Sequence, residues 1–107
     1  MRVLSLRPYH GKIILCESRK ELRRVYQKRT KQAYPYTDPK DGGRYVKLDC
    51  KRAADTIWLV WGARRAYLAH EFSHVLLQTF WTLGHDPREG DGEPFCYMLS
   101  QLLLEAA

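Results

Sequence analysis

Apolar and polar positions change period several times along the chain, and each change marks an element. Val3–Leu6 and Lys12–Cys16 are short apolar runs parted by the turn-forming stretch Pro8-Tyr9-His10-Gly11, and they read as two strands. Ser18 followed by Glu21 is a capping box, in which each side chain satisfies a backbone donor at a helix start. The helix it opens is expected to run to about Ala33, with Leu22, Val25, Tyr26 and Ala33 facing the core. Tyr34–Gly43 is rich in Pro, Asp and Gly and reads as a loop. Arg44–Cys50 and Thr56–Trp61 follow as strands joined by a turn near Lys51–Asp55. The second is apolar at successive positions, so it needs cover on both faces. Two helices, about Arg64–Leu83 and Pro94–Glu105, flank a Gly84–Gly92 loop. The order ββαββαα predicts an α+β layer arrangement.

The 107 residues suffice for one domain, 1–107, and 45% hydrophobic content can build its core. No uncharged apolar stretch approaches about 18 residues, which argues against a membrane-spanning helix. Charge interrupts the start, Met1–Arg7, too early for a secretory signal. Cys16, Cys50 and Cys96 are odd in number and form no C-x-x-C pair, so free thiols in a reducing cytoplasm are expected. The net charge of +6 is unevenly placed. Residues 1–52 hold 15 Lys and Arg against 5 Asp and Glu, and residues 53–107 hold 3 against 7. A basic surface of this kind either serves solubility or meets an acidic protein or nucleic acid. Arg23, Arg24, Lys28 and Arg29 on the first helix are the candidate partner-binding residues.

The segment Ala69-His70-Glu71-Phe72-Ser73-His74 carries H-E-x-x-H inside an expected helix. At about 100° per residue the two histidines fall roughly 40° apart, opposite a packing face of Leu68, Phe72, Val75, Leu76, Thr79, Phe80 and Leu83. Shuffling this composition would produce the motif in roughly one chain in a hundred. Two imidazoles one turn apart can hold one zinc ion, and a neighbouring carboxylate can take a proton from the water bound to it. His70 and His74 are therefore candidate metal ligands, and Glu71 the candidate general base.

A third ligand has to come from elsewhere. Leu77 and Phe80 exclude the H-E-x-x-H-x-x-G-x-x-H arrangement. His85, Asp86, Glu89, Asp91 and Glu93 are the downstream candidates, with Glu93, at the start of the last helix, best placed. Tyr97, one turn further, could stabilise an oxyanion in the same cleft. His10 reads as a turn residue.

The run from Ala69 through His74 to Gly92-Glu93-Pro94-Phe95-Cys96-Tyr97 resembles small zincin-like proteins of bacteriophages and prophages. More broadly, it is similar to minimal gluzincin domains of the ImmA/IrrE and SprT types. The resemblance covers about the last 40 residues. It implies a small, mostly antiparallel sheet, a basic-faced helix, an active-site helix and a glutamate-bearing helix. It further implies Zn2+ held by His70, His74 and Glu93, with Glu71 as base. Tyr97 matches a recurring position of no assured role.

The leading expectation is a zinc metallopeptidase, with an extended substrate pairing beside Thr56–Trp61 by β-augmentation. A second is a non-catalytic zincin-like protein that occupies a host complex through its basic half. A zinc-stabilised nucleic-acid module is a third. An intact Glu71 favours the first, and the charge asymmetry favours the others.

Overall fold

A computed structural model of the chain describes residues 1–37, 42–48, 52 and 55–107. Its elements are β1 (Arg2–Ser5), β2 (Lys12–Leu15), α1 (Arg19–Thr30), β3 (Gly43–Leu48), β4 (Ile57–Gly62), α2 (Arg65–Thr82) and α3 (Glu93–Glu105). All seven expected elements form, in the expected order. Cys50, the middle of the Tyr34–Gly43 loop and most of the Lys51–Asp55 turn lie outside the described residues.

The strands make one mixed sheet in the order β1-β2-β4-β3. The outer pairings, β1 with β2 and β3 with β4, are antiparallel, while β2 and β4 run parallel. The continuous apolar run Trp58–Trp61 accordingly sits in an interior strand and is buried throughout. Alternation along the strands sends Leu4, Leu6, Ile13, Leu15, Trp58 and Val60 to one face, against Phe72, Val75, Leu76 and Phe80 of α2 and Met98 and Leu102 of α3. Ile14, Cys16, Val46, Leu48, Leu59 and Trp61 face the other way, against Leu22 and Tyr26 of α1. Each fully buried Leu or Phe of this kind contributes about 1.5–3 kcal/mol.

Local chemistry sets the helix ends. The Ser18 hydroxyl accepts from Glu21 N at 3.0 Å, and Glu21 Oε1 accepts from Glu17 N at 3.1 Å. At the other end α1 stops at Thr30, short of the expected Ala33, and Ala33 is exposed. Lys31 turns left-handed there (φ 59°) and its N–H closes on the Gln27 carbonyl, which ends the ladder. α2 and α3 run antiparallel: Arg65 at the start of α2 donates to the Leu103 carbonyl (2.8 Å), and Phe80 near its end meets Phe95 (5.8 Å). The connection includes a short 3-10 turn at Glu89–Gly92. Leu83, expected in the core, is the C-cap of α2 and is exposed.

A cross-strand pair of glycines seats α2 on the sheet. Gly43 and Gly62 face each other across β3 and β4. A methyl group on Gly62 would come within 2.8 Å of Leu68 N, and one on Gly43 within 2.9 Å of Glu71 Cγ. The helix lies in the notch their missing side chains leave. Among the described residues, no helix is long and apolar enough to cross a membrane. Cys16 and Cys96 are free thiols, and burial pushes the Cys16 thiol up to about 11.

Candidate functional site

The second and third turns of α2 carry the histidines on the edge that faces β3. Their core-side neighbours Phe72, Val75 and Leu76 anchor the helix, so the opposite stripe is left to His70 and His74. His70 is exposed and His74 half-buried. Their Nε2 atoms lie 3.1 Å apart. Two nitrogens sharing a tetrahedral zinc at about 2.0–2.1 Å would be about 3.3 Å apart, so the pair already has the span of a two-point clamp.

Glu71 departs from the expected arrangement. Its position in the motif suggested a carboxylate on the open face; instead the side chain is buried, at 8% exposure, against Gly43 at the start of β3. Burial pushes its carboxyl above the ordinary value of 4.5, while His70, His74 and Arg44 each pull it back in part.

Strand β3 supplies the rest of the surroundings. The Tyr45 ring stacks on the His74 imidazole, with centroids 4.8 Å apart and planes 20° apart, and fixes the ring's orientation. Its hydroxyl accepts from Gln78 Nε2 at 3.1 Å, one helical turn beyond His74. The sequence reading missed Gly43, Arg44, Tyr45 and Gln78. The only signal for them is the alternation of β3, which places Tyr45 on the same face as Trp58 of β4, and nothing local links that face to α2.

The downstream candidates are not joined to the histidines. Glu93 is exposed in the first turn of α3. The neighbouring Phe95 packs on Phe80, which lies roughly 9 Å further along the α2 axis than His74. Tyr97 is 65% exposed and lines a shallow groove with Arg7 and Gln101 beside the β1 end of the sheet. The physical reason is lateral: α3 lies at the β1 side, where Arg2 donates to the Glu105 carbonyl and Tyr97 shares a groove with Arg7, whereas His74 stands against Tyr45 of β3. His85 Nδ1 is instead hydrogen-bonded to the Tyr9 hydroxyl (3.1 Å). Asp86 is held by Arg88, whose hydrogen bonds lower its carboxyl below the usual range. Among the described residues, no group of three or more His, Cys, Asp or Glu converges to hold a metal ion. The donor set therefore fits zinc in two positions, with the buried Glu71 carboxyl on the adjoining residue.

The expected partner-binding residues fall on α1, across the sheet. Arg23, Arg24, Lys28 and Arg29 are all exposed. Arg24 lies 3.7 Å from Glu21, and the Arg23 guanidinium stands 5.3 Å from the Tyr34 ring centroid. The expected β-augmentation strand is corrected: β4 is paired on both edges, by β2 and β3, and has no free ladder to offer. Among the described residues, the outer edge of the sheet beside the histidines belongs to β3. No protein-family model, curated protein or solved structure matches the chain.

Proposed function

We propose that the chain is a zinc-dependent hydrolase of peptide bonds, in which His70 and His74 hold the ion and Glu71 is the general base. The observation that carries this reading is the 3.1 Å separation of the two Nε2 atoms, with the buried Glu71 carboxyl on the adjoining residue. Zinc, when bound, supplies a water whose pKa is lowered toward about 7. Glu71 would take up a proton from the attacking water and return it to the leaving amine. Tyr45 and Gln78 keep the His74 ring from turning away. The outer edge of β3 aligns an extended peptide by main-chain hydrogen bonds, so the scissile bond runs past the histidine pair. The resemblance sets this activity in the cytoplasm of a phage-carrying bacterium, on a host or phage protein.

Zinc content by elemental analysis is the direct test. The parent protein should hold one ion per chain and His70→Ala none. Glu71→Gln should keep the zinc and lose hydrolysis of unstructured protein substrates by at least about a hundredfold. Zinc absent from the reconstituted parent, or full activity in Glu71→Gln, would remove the mechanism. A Glu93→Ala variant separates a two-histidine site, which keeps its zinc, from one that α3 completes when the metal binds.

A further inference from the structure

On the face of the sheet away from the histidines, a cavity of about 440 Å³ opens between the last turn of α1 and the β3 end of the sheet. Tyr26, Leu48 and Ile57 wall its apolar side, and Arg29, Gln32 and Tyr36 its polar side. A volume of this size suits one nucleotide-sized ligand.

Three tyrosines make the aromatic wall rigid. Tyr26, Tyr34 and Tyr36 meet edge-to-face, with centroids 5.3–6.5 Å apart. The Arg44 guanidinium stands 5.1 Å from the Tyr36 ring centroid and donates to the Thr37 carbonyl at 2.9 Å, which ties the segment down. Tyr36 nonetheless remains 43% exposed. A fixed, half-exposed ring beside a cavity is a stacking platform whose ordering cost has already been met within the fold.

Among the described residues, the charge around the cavity has one sign, and no Asp or Glu lines it. Lys28 and Arg29 form the last turn of α1, and Lys31 caps it. The acid on this helix, Glu21, lies in the first turn, roughly 12 Å from Arg29 along the axis, next to Arg24. Lys47, although it borders the same cavity, has its ammonium over Trp58 on the other face of the sheet. Arg29 is therefore the cation at the cavity itself, with Lys28 and Lys31 extending the charge along the surface.

We infer that this face binds single-stranded nucleic acid, with one unstacked base entering the cavity against Tyr36 and the flanking phosphates on Arg29, Lys28 and Lys31. A paired base cannot enter, because the cavity walls admit only a base that has left its stack. An acidic peptide would use the cations but would leave the tyrosine wall without a partner.

The test is fluorescence anisotropy with labelled oligonucleotides of about 12 nucleotides, dT and rU, and a hairpin duplex of equal charge, in EDTA. Both single strands should bind, and more tightly than the duplex; the tighter of the two identifies the sugar. Tyr36→Ala should weaken binding by at least about fivefold at fixed salt and leave the salt slope unchanged, while Tyr36→Trp retains affinity. Arg29→Ser should reduce the log–log salt slope by roughly 0.7. His70→Ala should bind like the parent, which separates this proposal from the hydrolase reading. Equal binding of the duplex, an unaffected Tyr36→Ala, or no binding at about 50 mM salt would each overturn it.

Discussion

The two faces of the sheet are built to different plans. One is covered by two antiparallel helices and holds the larger apolar cluster; among the described residues, the other is covered by α1, with Tyr34 packed beside it. On the first face, the candidate chemistry lies on the outer edge of a helix whose opposite side is fully packed. On the second, the candidate binding surface lies where cover runs out, at the end of α1. Dense packing aims a few side chains accurately, as with the stacked Tyr45 and His74. Incomplete cover leaves space and exposed rings instead.

The strongest way to break this comparison is to remove an anchor from each side. Phe72→Ala on the α2 face should cost about 4 kcal/mol and Leu22→Ala on the α1 face about 3 kcal/mol, both being fully buried. Urea denaturation would read the difference. A smaller loss for Phe72 than for Leu22 would mean that α1, not α2, carries the fold.

The glycine notch sharpens the same point. Gly62→Ala would place a methyl 2.8 Å from the Leu68 backbone nitrogen, which only a shift of α2 can relieve. A loss of about 2 kcal/mol is expected in thermal melts, as for other forced overpacking. An unchanged melting temperature would show that α2 does not depend on the notch.

The smallest effect concerns the buried carboxylate. Glu71 has its folded pKa raised above 4.5, so its ionised form weakens the metal-free fold once the pH exceeds that value, and stability falls as the pH rises through the folded pKa. Glu71→Gln should then melt a few degrees higher than the parent at pH 7 in EDTA. The gain should vanish below pH 4.5, where the parent's carboxyl is protonated in both states. A constant gain across pH would trace the effect to packing instead.

How far each site could be read from the sequence follows from sequence distance. The histidine pair depends on i, i+4 spacing within one helix, and the capping box at Ser18 and Glu21 is as local. The elements, their order and the need to cover β4 on both faces were readable for the same reason. Burial of Glu71 was not, because it arises from Gly43, far back along the chain on another strand. The placement of Glu93 and Tyr97 also depended on which side of α2 the last helix would take. Nothing in the Gly84–Gly92 connection fixes that side. The tyrosine wall was hidden most completely: Tyr26 belongs to a helix, whereas Tyr34 and Tyr36 belong to a stretch that reads only as a loop.

The parallel pairing of β2 with β4 has a kinetic consequence. β2 can join β4 only after α1 and β3 have been threaded between them in the chain, a closure across more than 40 residues. β3, β4 and α2 follow one another directly and contact each other extensively, so their association closes only short loops, as does the β1–β2 hairpin. Gly43, Tyr45, His70, Glu71, His74 and Gln78 all belong to that consecutive unit. The histidine site is thus built from local closures alone, and the long β2–β4 closure is what joins it to β1, β2 and α1.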